Sequence, residues 1–535
     1  MKTGDFVNNT ESGEWKEYHE NGNLKSIRFL DESGKYNGKA QLFDRDGKLH
    51  EEYDYRKGVI MAYRYYDKEG KLAKEYNKVK NTLDFEGFLP NGVKYVEGRF
   101  VKEGRDGIWK FFDSAEVLEE ETSYSDGVQS GLDIEFFSNG DTSAYINYTD
   151  GSKNGLYISY YLGGQLATQG NYVDGLAQGP WINYHKDGTV ISEEYYLNDV
   201  LHGKNYYYDI SGKLKRVSRY DDGYLLGIIE YDTAENVLSV QNLEAGQGKM
   251  ELHFPDGKSL STRQYKNANL VDSLHFFDGM GRVTSRGFLF DGTRVGYWSW
   301  YHPKGNLSAE GNYFYGEKDG EWKYYHSNGE LRRKVMKDKG VSKGYDSSFF
   351  ESGAVYNHFT YIDGSLYGPG TYHEPGGEVY LVKDYYKGNV QGYSYMDNSG
   401  QMKPYIPIEK GTGDVKTTYS NGQEAMTAHY ENGFYHGTLS VNYPNGQLWK
   451  TGEYVHGQRQ GAWKEYYPNG SPKTEENYSD GDLEGEAQYF WENGKLKETA
   501  TFLHDKRHGK TQHFDENGNP TVEQWYYEDE LHLEK

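Results

Sequence analysis

The chain contains no cysteine among its 535 residues. Disulfide bonds, zinc–thiolate sites, iron–sulfur clusters and cysteine nucleophiles are therefore all excluded. The sequence also lacks any apolar run near the roughly 18 residues of a membrane-spanning helix, and its first 15 residues lack the apolar segment of a secretory signal. Hydrophobic residues make up only 35% of the chain, which is too few for several conventional aliphatic cores.

Basic residues are outnumbered by acidic ones, which gives a net charge of -23. So acidic a chain makes nucleic acid and anionic membrane surfaces unfavourable partners. What the chain has in abundance is tyrosine and glycine, with 54 Tyr and 67 Gly. Disordered chains are poor in aromatic residues. A fold that buries Tyr and Trp in a thin layer, and turns often at Gly, accounts for both counts.

One repeat of 24 residues covers the sequence. Its clearest copies begin on Gly and end on Gly nine positions later: GEWKEYHENG (13–22), GPWINYHKDG (179–188), GYWSWYHPKG (296–305), GEWKYYHSNG (320–329) and GAWKEYYPNG (461–470). The register gives about 22 units and divides one continuous array into a partial repeat (1–12), irregularly spaced repeats (13–106) and regular blocks (107–247, 248–412 and 413–535). The last two blocks each begin after a step of 21 residues, at Gly248 and Gly413.

Each unit is predicted to be a β-hairpin. Two runs of about seven residues, rich in aromatic and β-branched side chains, lie between Asn-Gly or Asp-Gly pairs. Five prolines stand two residues before the second Gly of a unit, where their fixed φ suits a type I turn followed by a left-handed Gly: Pro255, Pro303, Pro375, Pro444 and Pro468. A second motif, Tyr-x-x-Gly-x-x-x-Gly (YSDGVQSG at 124–131), marks the turn into the next hairpin. We therefore predict an all-β fold, an elongated and twisted array of tandem hairpins with essentially no helix, in which each unit contacts only its neighbours.

These motifs resemble the MORN-repeat variant of bacterial proteins, including the YwqK-type antitoxins. The likeness lies in G-x-W-x-x-Y-Y-x-N-G-x-L followed by Tyr-x-x-Gly-x-x-x-Gly, and in His-Gly pairs at 202–203, 436–437 and 508–509. The resemblance implies a hairpin array used for protein association or, in some eukaryotic relatives, for lipid contact. Two other hairpin-repeat families compete. The choline- or glucan-binding repeats of cell walls share W-x-Y-Y-x-x-x-N-G, and the Tyr-Asp repeats of toxin shells resemble YYDISGKLKRVSRYDDG at 207–223.

No catalytic motif interrupts the repeat. The sequence has no phosphate-binding loop, no zinc-protease motif and no nucleophile elbow. Four histidines share one repeat position, and we interpret them as structural because units about 9–10 Å apart cannot share a metal ion: His19, His185, His302 and His326. We therefore expect no enzyme activity, no cofactor and no metal.

The predicted function is a non-enzymatic scaffold, antitoxin-like, that binds a protein partner. The alternative is a cell-surface protein that binds polysaccharide through exposed Tyr and Trp rows. Aromatic residues at a fixed repeat position first of all predict packing between units. Units with extra aromatic residues supply the candidate exposed binding rows: Tyr157, Tyr160, Tyr206, Tyr207, Trp298, Trp300 and Tyr301.

The sequence begins within a repeat, because TGDFV at 3–7 matches TGEYV at 451–455. We therefore expect a longer natural N-terminus that carries an export signal or a lipidated anchor. The expected location is the cytoplasm if Met1 is the natural start, and the cell envelope or surface if it is not. Membrane contact is expected only through such an anchor.

Overall fold

The structure is a computed structural model that describes residues 2–19, 21–244, 246–266, 269–290 and 293–535, with the backbone alone for 269–273. Met1, on which the expectation about the N-terminus depends, lies outside the described residues. Strands and turns make up the described part of the chain, and it contains no helix. In that part, accordingly, no helical segment has the length and apolar character to span a membrane. The predicted all-β class is confirmed.

The chain divides into two compact units, and the first comprises residues 1–164 and 169–176. Its strands are β1 (Lys2–Val7), β2 (Thr10–Tyr18), β3 (Leu24–Leu30), β4 (Tyr36–Phe43), β5 (Leu49–Arg56), β6 (Val59–Tyr66), β7 (Leu72–Asn77), β8 (Thr82–Phe88), β9 (Lys94–Val101), β10 (Gly104–Phe112), β11 (Leu118–Ser125), β12 (Val128–Phe136), β13 (Thr142–Thr149) and β14 (Ser152–Tyr160). Strands β1–β7 pair antiparallel in sequence order, and so do β8–β14. The division between the units falls at β15 (Leu166–Val173) and β16 (Leu176–Ala177).

The second unit comprises residues 165–168 and 177–535. Its first strands are β17 (Gly179–Tyr184), β18 (Val190–Leu197), β19 (Val200–Leu201), β20 (Gly203–Tyr208), β21 (Leu214–Asp221), β22 (Tyr224–Tyr231) and β23 (Val237–Asn242). A new sheet holds β24 (Gly248–His253), β25 (Ser259–Lys266), β26 (Asn269–Phe277), β27 (Val283–Phe290), β28 (Thr293–Tyr301), β29 (Leu307–Phe314), β30 (Glu317–Tyr325), β31 (Leu331–Asp338), β32 (Val341–Phe349), β33 (Val355–Ile362), β34 (Ser365–Leu366), β35 (Gly368–His373), β36 (Val379–Tyr386), β37 (Asn389–Tyr395) and β38 (Ile406–Pro407).

The last sheet of the second unit holds β39 (Gly413–Thr418), β40 (Glu424–Glu431), β41 (Phe434–Tyr435), β42 (Gly437–Asn442), β43 (Leu448–Val455), β44 (Gln458–Tyr466), β45 (Pro472–Ser479), β46 (Asp482–Leu483), β47 (Gly485–Phe490), β48 (Leu496–Leu503), β49 (Lys506–Phe514), β50 (Pro520–Tyr527) and β51 (Glu530–Glu534). The sheets thus change at Gly248 and Gly413, where the repeat takes its two steps of 21 residues.

Buried aliphatic side chains collect at these two sheet boundaries. Between β22 and β25 the core contains Leu225, Ile228, Leu243, Met250, Leu252 and Tyr265. Between β36 and β44 a larger core contains Leu381, Val390, Ile408, Val415, Met426, Leu439 and Val441 among tyrosines. Where two sheets meet at an angle they enclose a volume that a single sheet cannot, so the scarce aliphatic residues lie there.

The two turns of a hairpin unit follow the predicted chemistry. In the first turn the Gly470 N–H donates to the Tyr467 carbonyl over 2.8 Å and Gly470 has φ of 85°, as expected for a type I turn closed by a left-handed Gly. In the second turn both central residues have positive φ, 48° at Asp480 and 90° at Gly481, which is the mark of a type I′ turn. The hairpin prediction is confirmed.

A glycine lies beneath the buried tryptophan of several units. A Cβ on Gly452 would come within 2.3 Å of the Trp463 ring, although Gly452 lies 11 residues earlier in the chain. The Trp463 Nε1–H donates to the Glu453 carbonyl over 3.1 Å, which holds the ring flat on the neighbouring strand. The same contact joins four other pairs: Gly4 and Trp15, Gly98 and Trp109, Gly287 and Trp298, Gly311 and Trp322. Gly therefore provides the space that Trp fills.

A cation covers the other face of these indole rings. The Arg459 guanidinium lies 4.6 Å from the Trp463 ring centroid, and its Nη1 donates to the Tyr478 hydroxyl over 2.7 Å. Arg294 lies in the same way 4.8 Å from the Trp298 ring. In the units that contain this tryptophan, the ring is therefore packed on both faces.

Side-chain ladders tie each unit to the next. The Nε2 atoms of His302 and His326 each lie 3.2 Å from a carbonyl oxygen, of Tyr325 and of Phe349. Since a carbonyl can only accept a hydrogen bond, the Nε2 atoms are the donors. His19 makes the equivalent bond to Phe43 over 3.0 Å. The structural interpretation of this histidine row is confirmed for these three residues, and His185 instead stacks on His504 with ring centroids 4.4 Å apart.

The second unit also folds back on itself. The Lys186 Nζ lies 2.8 Å from an Asp482 carboxylate oxygen, and Lys215 lies 2.8 Å from Glu528. These pairs join residues about 300 positions apart. The expectation that each hairpin contacts only its neighbours is therefore wrong in this unit. Strand twist accumulates over many hairpins and returns the C-terminal turns to the turns of β17–β21.

Candidate functional site

Two adjoining clefts lie on hairpins β26–β31. The smaller, about 530 Å³, lies over β28–β31, and the larger, about 820 Å³, reaches from β26–β29 to Asp529, Glu530 and Leu531 near the C-terminus. Both are lined by Trp300 and His302. Because they share lining residues, we treat the two clefts together as the candidate site and call them the β28 groove.

Strand β51 closes one end of the β28 groove. The Gly279 N–H donates to the Leu531 carbonyl, and the Lys258 Nζ donates to the His532 carbonyl over 3.0 Å. Only Gly fits at position 279, because a Cβ there would lie 2.2 Å from the His532 oxygen. The turn at Asp278–Arg282 and the last strand are thus held together by backbone contacts.

The predicted binding residues on β28 differ in how far they are buried. Trp300 and Tyr301 are half-buried and line the β28 groove. Trp298 is fully buried, between Gly287 and the Arg294 guanidinium. The prediction that Trp298 is exposed is therefore wrong. Its ring fills the layer between units and offers no face to a ligand.

The other predicted aromatic residues lie elsewhere. Tyr157 and Tyr160, on β14 of the first unit, are half-buried, and each makes an edge contact with a neighbouring tyrosine, about 6.0 Å between Tyr157 and Tyr172. Tyr206 and Tyr207, on β20 of the second unit, are also half-buried. Burial raises the pKa of Tyr207, and the Arg216 guanidinium lies 4.6 Å from its ring.

The smaller cleft has a lining unusual for so acidic a chain. Its cations are Lys318 and Arg332, its histidines are His302 and His326, and no carboxylate is among its lining residues in the part of the chain that the structure describes. Lys318 lies 4.3 Å from the Trp322 ring centroid and donates to the Tyr324 hydroxyl over 2.8 Å. The cleft therefore combines positive charge with aromatic surface, which suits an anionic group attached to an apolar or aromatic one.

The far end of the β28 groove contains both signs of charge, since Asp278, Asp529 and Glu530 line it together with four cationic residues: Arg282, Arg286, Arg294 and Lys304. Burial, together with the Asp278 and Asp529 carboxylates, raises the pKa of Glu530 from its ordinary 4.5 to about 7. Asp278 is itself buried and pairs with Arg282 at 2.7 Å.

Glu530 gives the docking of β51 a dependence on pH. A folded pKa above the unfolded one means that the folded state binds its proton more tightly, so the contribution of Glu530 to stability is fully present below about pH 4.5 and is lost as the pH rises through about 7. The loss is at most about 3 kcal/mol. We expect Glu530→Gln to remove most of it, measured as amide hydrogen exchange of β51 at pH 5 and pH 8. Equal pH dependence in the variant and the parent chain would contradict this assignment.

Sequence reasoning missed two parts of the groove for different reasons. Lys318 and Arg294 stand four residues before Trp322 and Trp298, so the recurrence of a cation at this repeat position was a usable signal. Glu530 gave no signal, because nothing in a local motif shows that β51 meets β26 and β27.

Comparison with known proteins supports the repeat assignment. The family model for the MORN repeat variant matches residues 11–31, 153–174, 177–198, 294–314, 318–336, 435–456, 459–480, 483–504 and 507–529. Two of these segments, 294–314 and 318–336, carry most of the lining of the smaller cleft. No curated protein matches the chain.

Solved toxin-complex structures show a distant likeness. One is the crystal structure of TcdB2-TccC3-Cdc42, 11% identical, with a TM-score of 0.16, in which the match covers 96% of this chain and 32% of that one. Another is the Photorhabdus luminescens Tc holotoxin pore, 12% identical, with a TM-score of 0.11 and coverage of 95% and 30%. The chain thus spans about a third of the length of these proteins. At such TM-scores nothing further follows from the likeness.

Proposed function

We propose that this chain, nine segments of which match the family model for the MORN repeat variant, is a non-enzymatic scaffold whose β28 groove binds an acidic, aromatic-containing segment of a protein partner. The observation that supports this most is the lining of the smaller cleft, where Lys318 and Arg332 stand among aromatic rings with no lining carboxylate among the described residues. In a chain of net charge -23, such a local reversal of charge favours a negatively charged ligand.

The geometry favours a polypeptide over a polysaccharide. Sugar rings stack on free faces of Trp or Tyr. The rings of Trp298 and Trp322 are almost fully buried, with Gly beneath and a cation above. Trp300 itself stacks on Trp298 with ring centroids 5.8 Å apart. The groove therefore presents charged groups and hydroxyl groups to a ligand, and not open faces of aromatic rings.

The test compares two classes of ligand on the full chain. An array of acidic, tyrosine-containing peptides and a glycan array are probed with the parent protein and with the double variant Lys318→Met/Arg332→Gln. Met keeps the aliphatic stem of Lys318 over Trp322, so packing is retained. Removing the two cations is expected to weaken peptide binding at least about tenfold, and added salt should weaken binding to the parent protein.

A matched control carries the same kind of change outside the groove. Lys464→Met removes an exposed cation that pairs with Glu475 at 3.2 Å on β44 and β45, and peptide binding should not change. Binding to a defined glycan, abolished by Trp300→Ala, with no peptide bound, would favour the polysaccharide alternative. Binding to neither class would overturn the proposal.

A further inference from the structure

Neighbouring units meet at a recurring contact. The last residue of one unit, just before the first Gly of the next, faces the type I′ turn near the end of that next unit. In several units the side chain of this residue accepts a hydrogen bond from the first turn residue. Gln178 accepts from the Asn198 N–H over 3.0 Å, and Gln460 accepts from the Asp480 N–H over 2.8 Å. This hydrogen bond recurs where neighbouring units of the array meet, and we call each such contact a joint.

The joint between the units that begin at Gly413 and Gly437 departs from this pattern. There both residues are histidines, His436 and His456. Their Nδ1 atoms are buried and make no hydrogen bond among the described residues, although that of His436 lies at ion-pair distance from a carboxylate. The two rings lie 5.0 Å apart at an angle of 61°. Two unsatisfied imidazole nitrogens at one point are costly unless something else binds them.

A carboxylate completes the cluster. The Glu431 Oε2 lies 3.3 Å from the His436 Nδ1, and the ligand atoms of Glu431, His436 and His456 all lie within 4.8 Å of one another. Glu431 and His436 are held by one hairpin, since the turn Asn432–Gly433 joins β40 to β41. His456 is held beside this hairpin, because the N–H of the residue that follows it, Gly457, donates to the Tyr435 carbonyl over 2.8 Å.

We propose that Glu431, His436 and His456 bind a divalent transition-metal ion, Zn²⁺ by their chemistry. Two imidazoles and one carboxylate are a common zinc set, with bonds of about 2.0–2.1 Å, so that tetrahedral ligand atoms stand roughly 3.3 Å apart. The Glu431–His436 separation already has this value, and side-chain rotation can close the others. Glu431 and His436 are about 41% and 35% exposed, so the ion can enter and a water can take the fourth position.

The site differs from the histidine row considered in the sequence. His19, His302 and His326 are one full repeat or more from the next member and bond to carbonyls. Here the two histidines occupy different repeat positions, so that the hairpin joint brings them together. A bound ion would cross-link two neighbouring units.

A second acidic and histidine cluster serves as the comparison. Asp482, Glu484 and His504 are also close together. There the Lys186 Nζ already lies 2.8 Å from Asp482, and Glu484 accepts from the His504 N–H over 2.8 Å. The two carboxylates of this second cluster thus already have partners, a lysine ammonium and a backbone N–H.

The test is titration of the full chain, free of any histidine tag, with ZnCl₂ by calorimetry, and with Co²⁺ by the visible absorption of tetrahedral Co²⁺. One site per chain is expected. His436→Gln installs the residue that other joints use, and His456→Asn suits the left-handed turn, where φ is 46°. Each should weaken binding at least about tenfold, since even outer-shell changes cost about 10–100-fold. Zn²⁺ should raise the thermal midpoint of the parent chain more than that of His436→Gln or His456→Asn.

His429→Gln is the matched control, because His429 is an exposed histidine of the same unit that pairs with Asp414 at 2.6 Å. It should bind Zn²⁺ like the parent chain. The proposal is overturned if the parent chain does not bind Zn²⁺, if His436→Gln and His456→Asn bind it with unchanged affinity, or if His429→Gln loses binding to the same extent.

Discussion

Gly452→Ala is expected to destabilise the C-terminal hairpins by about 3 kcal/mol, at the upper end of overpacking costs. The cause is space alone, since Gly452 does not have a positive φ and its Cβ would lie 2.3 Å from the Trp463 ring. The ring cannot retreat without breaking its bond to the Glu453 carbonyl. Amide hydrogen exchange of β43–β45 measures the loss, because stability in a hairpin array is local.

The neighbouring unit provides the control for this prediction. There Leu439 and Ala428 occupy the positions of Trp463 and Gly452, and both are buried. The double variant Gly452→Ala/Trp463→Leu reproduces that pair and should recover part of the stability that Gly452→Ala loses. If Gly452→Ala alone left exchange unchanged, the close packing of Trp on Gly would not hold.

Trp298→Ala is expected to destabilise β27–β29 by about 3–5 kcal/mol, the usual cost of removing a fully buried large aromatic side chain. The ring is fully buried, and its Nε1–H donates to the Phe288 carbonyl over 3.0 Å. The variant therefore leaves a cavity and an unpaired carbonyl. Amide exchange of β27–β29 in the full chain is the measurement.

Trp300→Ala is the matched control, two residues further along the same strand. Trp300 is half-buried at the groove, so its truncation should cost about 1 kcal/mol and speed exchange of β27–β29 far less than Trp298→Ala does. Equal destabilisation by the two variants would contradict the assignment of Trp298 to the core and Trp300 to the groove. The contrast also shows why ligand tests belong on Trp300.

The local structure followed from the sequence because it depends on local chemistry. Pro468 and Gly470 specify one turn, and an Asp-Gly pair such as Asp480–Gly481 specifies the other. The 24-residue period then places Trp463 against the preceding strand. The sequence also indicated that Trp298 is buried, since Gly287 stands 11 residues before it. The aromatic residues around Trp298, taken alone, had led to the incorrect prediction that it is exposed.

The long-range structure could not be predicted from the motifs. The contact of β51 with the turn at Asp278–Arg282 joins parts of the chain about 250 residues apart. Its position depends on the twist of every hairpin between them and on the sheet changes at Gly248 and Gly413, so small local angles add up. The β28 groove was therefore only partly visible in the sequence, through Trp300 and Tyr301.

The most direct test of the proposed role is hydrogen–deuterium exchange of the full chain with and without a saturating acidic, tyrosine-containing peptide selected on the array. The account predicts slower exchange confined to β28–β31, and no such protection in Lys318→Met/Arg332→Gln. Unchanged exchange in β28–β31, or protection that appears only elsewhere in the chain, would contradict it.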